Sequence, residues 1–277
     1  MRGWGLAVLA LVLGWAPLAH ALELTVDGTP RQGGMLIGHT EPGAAVTLDG
    51  TAIRPMPDGT FVFGFGRDQG ATAELVATKG SESVHKTLDI AQRTYEIQKI
   101  NGLPDKMVTP SPDTMDRIKM EAAEVGTARA TDSNLTGFLE QFRWPVEGII
   151  SGLYGSQRIL NGEPRRPHFG VDIAAPTGTA IHAPADGRVT MAEKTLYFTG
   201  GTVIIDHGHG ISTTYLHMSR LDVKVGDQVK QGDVIGAVGM TGRATGPHLC
   251  WRLNWFQERL DAELVVPPMP PQPAPQN

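Results

Sequence analysis

Glycine punctuation constrains this chain more than any other feature. The 277 residues include 34 glycines, and between Leu22 and Ile90 they close turns at Asp27-Gly28, Asp49-Gly50 and Asp58-Gly59. The runs between those turns alternate with period two, as in Ala45-Val-Thr-Leu48 and Thr60-Phe-Val-Phe63, which is the signature of short strands with one buried face. Spacing this tight leaves no room for long helices and predicts a small β-sandwich over residues 22–92. The same punctuation returns from Trp144 to Val266, around Thr202–Asp206, Ile211–Leu216 and Val234–Val238. It predicts a second, compact antiparallel β domain over residues 144–266, so the fold class is mainly β.

The two β regions are joined by a segment, residues 93–143, whose period changes to that of a helix. Ser111-Pro112 offers an N-cap followed by proline at the first helical position, and Met115, Ile118, Ala122 and Val125 share one face. Asp132 or Ser133 can cap a second helical turn carrying Leu135, Phe138, Leu139 and Phe142, ended by Trp144-Pro145. A helical connector packing its stripes on a neighbouring domain is the expectation, and the stripe just before Trp144 is expected to limit access to a groove. The proline-rich residues 267–277 lack the material for a core and are expected to be disordered.

At the other end, Met1-Arg2, an apolar run from Trp4 to Leu18 and Ala19-His-Ala21 have the charge, length and small-residue ending of a secretory signal, expected to be cleaved after Ala21. The run is shorter than the ~20 residues a spanning helix needs, so no stable membrane span is expected after cleavage. A lipid anchor on cysteine is excluded, because the chain's one cysteine is Cys250. With 40% hydrophobic residues the chain can fill two cores, and a net charge of -5 leaves no electrostatic footprint for nucleic acid. His39 and His85 of the first region lack metal-ligand spacing, so that region is expected to be an accessory or docking module.

Chemistry concentrates in the second region, which holds six of the nine histidines. His248 and Cys250 are two apart and on a strand project to the same face. His168 and Asp172 are four apart; a straight strand would separate them by ~13 Å, and Gly170 between them permits the bend that brings them together. A lone thiol in an oxidising compartment can form no internal disulfide, and metal ligation would account for its retention. His207-Gly-His209 is a competing His-x-His pair whose setting reads as a turn, and His182 is expected to face solvent. Tyr154, Tyr215 and Trp251 are candidates for a groove lining or for the core.

The ordered set His168-x-x-x-Asp172, Tyr215-x-His217 and Thr241-Gly-Arg-Ala-Thr-Gly-Pro-His248-x-Cys250 resembles the lysostaphin/LytM-type zinc metallopeptidases, which cut peptide cross-links in peptidoglycan. The likeness runs from about Trp144 to Asp261. It implies that His168 and Asp172 ligate Zn2+, and that His217 and His248 are catalytic without ligating. The family's third ligand is a histidine where this chain has Cys250; thiolate is itself a good zinc ligand. It further implies a periplasmic location, peptidoglycan peptides as substrate, and a divisome or wall-hydrolase partner reached through the N-terminal domain. Two other readings stand beside the hydrolase. One is a catalytically degenerate domain that binds the wall or activates another hydrolase. The other is a biotinyl-type carrier, suggested by the glycine-spaced hairpins of Val225–Gly236, although that reading leaves the histidines without a role.

Overall fold

The computed structural model describes residues 21–102 and 108–271; the expected signal segment lies outside them apart from Ala21. Seven short strands form the N-terminal unit. Leu24–Asp27, Met35–Thr40 and Thr60–Gly64 make one antiparallel sheet, and Thr51–Ile53, Ala45–Leu48, Thr72–Lys79 and Glu82–Asp89 make the other. Alternation does the work expected of it: in Thr72–Lys79 every second residue, Ala73, Leu75 and Ala77, turns inward. Together with Phe61, Phe63 and Phe65, all fully buried, they form a separate core between the sheets.

The larger unit is built on an eight-stranded sheet. Its central path runs Gly187–Leu196, Gly200–Gly208, Ile211–Met218, His248–Trp255, Val171–Ala174 and Ile149–Gly152, all antiparallel neighbours. Gly200–Gly208 and Ile211–Met218 are buried along their whole length, because the sheet is covered on both faces. Tyr154, Tyr215 and Trp251 are fully buried, so they serve the core and do not line a groove.

The connector departs from expectation. It contains one α-helix, Pro112–Arg129, capped by Ser111, whose hydroxyl accepts from the Thr114 amide. Met115 and Ala122 of the expected stripe are exposed; Ile118 and Val125 are half-buried and Ala128 is buried against Met191, Leu196 and Ile204. The second helical stretch reduces to a single 3-10 turn, Gly137–Leu139. Close approach explains why: a Cβ on Gly137 would meet the Asp186 carbonyl oxygen at 2.0 Å, and a Cβ on Gly208 would meet that of Leu135 at 1.8 Å. The chain lies against the sheet there, with Phe138 and Phe142 packed on the rings of His209 and His207. Ahead of the helix, Ile97–Ile100 is a strand, pairing in parallel with Gln157–Leu160. The proline-rich tail also begins ordered, since the Trp144 indole donates to the Pro267 carbonyl at 2.7 Å and Met269 packs on the core.

The two β units are tied together. Arg93 reaches the buried Asp261 carboxylate at 2.8 Å, Arg67 donates to the Gly155 carbonyl at 2.7 Å, and Leu260 fills the space beside Gly64. Among the described residues, no helix is long and apolar enough to cross a membrane.

Candidate metal centre

Three adjacent strands bring the candidate residues together. In the register of Val171–Ala174 on His248–Trp255, Asp172 sits opposite Cys250, so both side chains leave the same face of the sheet. His248, two residues before Cys250, shares that face. His168 lies ahead of the strand, where the chain bends at Gly170. The glycine is needed there for space and not for a left-handed backbone, because a Cβ would meet the Trp251 carbonyl oxygen at 2.7 Å and the Cys250 Sγ at 3.2 Å.

His217 arrives by a different device. Plain alternation along Ile211–Met218 would send it to the face of Tyr215, two residues earlier. Instead its backbone is left-handed, with φ of 64°, a conformation that costs a non-glycine residue on the order of 1 kcal/mol or more. Its ring lies 4.8 Å from that of His248. The strain is held by Thr241, whose carbonyl accepts from His217 Nδ1 at 2.8 Å and whose hydroxyl bridges the Met218 carbonyl and the Gly201 amide.

Backbone carbonyls set all three imidazoles in one tautomer. Nδ1–H donates to Leu153 from His168 at 3.2 Å, to Thr241 from His217 at 2.8 Å and to Gly246 from His248 at 2.8 Å. Each Nε2 therefore carries a lone pair. His168 Nε2 is 3.0 Å from Asp172 Oδ1 and 3.3 Å from Cys250 Sγ, and His248 Nε2 is 3.8 Å from the same Oδ1. Arg158 holds the other carboxylate oxygen, Oδ2, at 2.8 Å.

This donor set fits a divalent cation. The candidate ligand atoms of His168, Asp172 and Cys250 all lie within 4.8 Å of one another and all three residues are buried. Tetrahedral zinc bonded to N, O and S separates N from O by about 3.3 Å and N from S by about 3.6 Å, close to the spacing observed. Asp172 Oδ1 is buried and accepts no hydrogen bond, although a ring nitrogen is near; a buried carboxylate oxygen without a partner is costly unless a cation meets it. His207 and His209 do not compete. His207 donates to the Asp186 carbonyl and accepts from Thr213, both at 2.7 Å, and His209 bonds the Arg54 carbonyl. His182 is half-buried and donates to the Gly232 carbonyl at 2.8 Å.

Burial dominates the titration of the site. It lowers His168, and it pushes His217 down to about 3, helped by His248. Burial, with Asp172 nearby, pushes the Cys250 thiol up to about 12. For Asp172 burial works upward, but the His168 ring beside it, then Arg158, outweigh it and hold the carboxyl well below its usual range.

A cavity of about 160 Å³ opens over these groups, walled by Asp172, His217, His248, Arg158 and Arg243 and closed on one side by Gln98 and Ile100. Two residues of the strand Ile97–Ile100 thus contribute to the cavity wall, whereas Phe138 and Phe142 of the apolar stripe before Trp144 pack on His209 and His207 instead. Arg158, Arg243, Thr241 and Gln98 escaped sequence reasoning. Arg158 and Gln98 sit in four-residue strands with no periodic signal, and Arg243 and Thr241 lie within the motif Thr241–Cys250 without a distinguishing spacing.

Comparison with known proteins converges on the same segment. Residues 166–262 match Peptidase family M23. The chain is 43% identical over 114 residues, 40% of its length, to the peptidoglycan DD-endopeptidase ShyA of Vibrio cholerae, covering 26% of that protein. It is 32% identical over 161 residues, 58% of its length, to the cell division protein DipM of Caulobacter vibrioides, covering 25% of it. The chain thus spans about a quarter of these curated relatives. A crystal structure from Pseudomonas aeruginosa, described as an M23 peptidase by assignment, aligns with TM-score 0.68 and 27% identity over 86% of this chain and 96% of that one. The arrangement of sandwich, connector and larger β unit therefore recurs outside this chain.

Proposed function

The chain belongs to peptidase family M23 through residues 166–262, and from that premise we propose that it is a zinc-dependent endopeptidase hydrolysing the peptide cross-links of peptidoglycan outside the cytoplasm. The observation that carries the reading is the convergence of His168 Nε2, Asp172 Oδ1 and Cys250 Sγ on one point, with Oδ1 buried and otherwise unpartnered.

His168, Asp172 and Cys250 would hold the cation, which supplies Lewis acidity toward the scissile carbonyl and lowers the pKa of water. Arg158 fixes Asp172 by binding Oδ2 and leaving Oδ1 turned inward. His217 and His248 are not ligands. Each presents an Nε2 lone pair to the cavity, so one takes the proton of the attacking water and passes it toward the leaving amine while the other steadies the developing oxyanion once protonated. Burial keeps His217 neutral at neutral pH, so its Nε2 lone pair is not blocked by a proton, although the same burial weakens it as a base.

A thiolate beside Asp172 gives the cation more negative charge than an imidazole would, which weakens its Lewis acidity. That observation favours a second reading, a degenerate domain that binds the wall or activates another hydrolase. A partner of the division or wall-hydrolysis machinery, reached through the N-terminal sandwich, belongs to either reading. Metal analysis, cobalt(II) absorption and digestion of purified peptidoglycan, performed on the natural chain, Cys250→Ser and Cys250→His, separate them. The endopeptidase reading expects one bound zinc, a sulfur-to-cobalt charge-transfer band lost in the serine variant, and digestion by the natural chain. Digestion by Cys250→His alone would establish the degenerate reading.

A further inference from the structure

We infer that Arg252 is a positioning residue for the third ligand: its guanidinium is matched to the Cys250 thiolate, as that of Arg158 is matched to the Asp172 carboxylate. The inference rests on the metal centre proposed above and names what makes a cysteine workable in it. Cys250 and Arg252 are two apart on the strand His248–Trp255, so their side chains leave the same face. In the register with Ile211–Met218 they stand opposite Leu216 and Thr214, neither of which carries a charge. The two side chains also converge in space. A Cβ on Gly170 would meet Arg252 Cγ at 2.7 Å and Cys250 Sγ at 3.2 Å, so both press on the point where the chain bends between His168 and Asp172. Arg252 Nε is buried and has no hydrogen-bond partner. A charged donor left unpaired in the interior is costly, and an anion beside it removes that cost.

The charges nearby point to Cys250 as that anion. Asp172 is engaged already, with Oδ2 on Arg158 at 2.8 Å and Oδ1 turned toward His168. Arg129 and Arg259, the cations that act on Arg252, donate to neutral oxygens of Val125, Gln257 and Asn254. Arg252 in turn acts on Cys250, His168 and His217, so its charge stands close to the centre. Coordination requires the thiolate, and the negative charge then appears next to the unpaired guanidinium. An N–H donated to the sulfur draws electron density away from it, so the cation keeps Lewis acidity that a thiolate alone would take from it. The same arginine beside a neutral imidazole would repel the cation with nothing to offset it. Arg252 therefore favours metal binding with Cys250 and opposes it with a histidine at that position.

Cobalt(II) titration of the full chain reads the pairing through two observables, affinity and the sulfur-to-cobalt charge-transfer band. Arg252→Leu, Arg252→Lys, Cys250→His and the double variant Arg252→Leu with Cys250→His are compared with the natural chain, with thermal unfolding of the metal-free forms in parallel. Arg252→Leu should bind cobalt on the order of tenfold more weakly, and its band should move to longer wavelength because the sulfur loses a donor. Arg252→Lys keeps the charge and should recover part of both effects. In the Cys250→His background the leucine change should leave affinity unchanged or raise it, whereas a merely structural role would lower it in both backgrounds. A band that stays in place in Arg252→Leu, or an equal loss of affinity in both backgrounds, would overturn the pairing while the metal centre stood. Should Cys250→His bind no cobalt, the band of Arg252→Leu decides alone. A natural chain that binds no cobalt, or binds it without a sulfur band, would sink the metal centre and the pairing together. The band shift without digestion of peptidoglycan would sink the peptidase reading and leave the pairing standing.

Discussion

Gly152 gives the sharpest test of how the centre is built, because it should separate stability from metal affinity. It faces Asp172 across the pairing of Ile149–Gly152 with Val171–Ala174. A Cβ added there would stand 2.6 Å from Asp172 Oδ2, 3.0 Å from its Cγ and 3.1 Å from its Cβ. Ordinary contact lies near 3.5 Å, so the carboxylate must withdraw by about 0.9 Å from a position set by Arg158 at 2.8 Å. In an open strand, glycine to alanine stabilises by roughly 0.5–1 kcal/mol through the unfolded chain. Here that gain is opposed by a local displacement, so thermal unfolding of the chelator-treated protein should change little. Zinc affinity should fall by about 10–100-fold, the scale on which misplacement of a ligand's support acts. Competition against a chromophoric chelator measures it, with unfolding of the metal-free chain in parallel. Unchanged zinc affinity in Gly152→Ala would refute the claim that Asp172 is held as a ligand by the space around it.

Replacing His217 or His248 by alanine should leave zinc content intact and lower turnover by roughly 10²–10⁴-fold; loss of zinc in either variant would make that residue a ligand. Acid should destabilise the metal-free chain between about pH 6.5 and pH 4, because burial lowers His207 to about 4 and the unfolded state takes up the proton first. The shift corresponds to about 3 kcal/mol; His217, His168 and His209 act with the same sign, so denaturant unfolding of His207→Gln should lose part of the dependence and retain more than half, and full retention would contradict the assignment. Gln98 and Ile100 close one side of the cavity. Changing both to glycine should raise hydrolysis of intact peptidoglycan several-fold while leaving a small peptide substrate unaffected, and equal rates on both substrates would remove the strand Ile97–Ile100 as a barrier.

Local pattern in the sequence was enough for the β character, the inward alternation of Ala73, Leu75 and Ala77, and the cap at Ser111, because each depends on neighbours a few residues away. The ligand and catalytic candidates were equally legible, since His248 and Cys250 share a strand face and the motifs around His168 and His217 keep a recognisable order. What local pattern could not decide was which carbonyl orients each imidazole, how His217 reaches the cavity on a left-handed backbone, and that Arg158 and Ile97–Ile100 complete the site. The aromatic stripe of Phe138 and Phe142 shows the limit most clearly. Its spacing favours a helix, yet the carbonyl of Asp186 excludes anything larger than glycine at Gly137, and the chain lies flat on the sheet. Contacts between residues far apart in the chain carry no periodicity, so only tertiary packing could choose among conformations that local propensity left nearly equal.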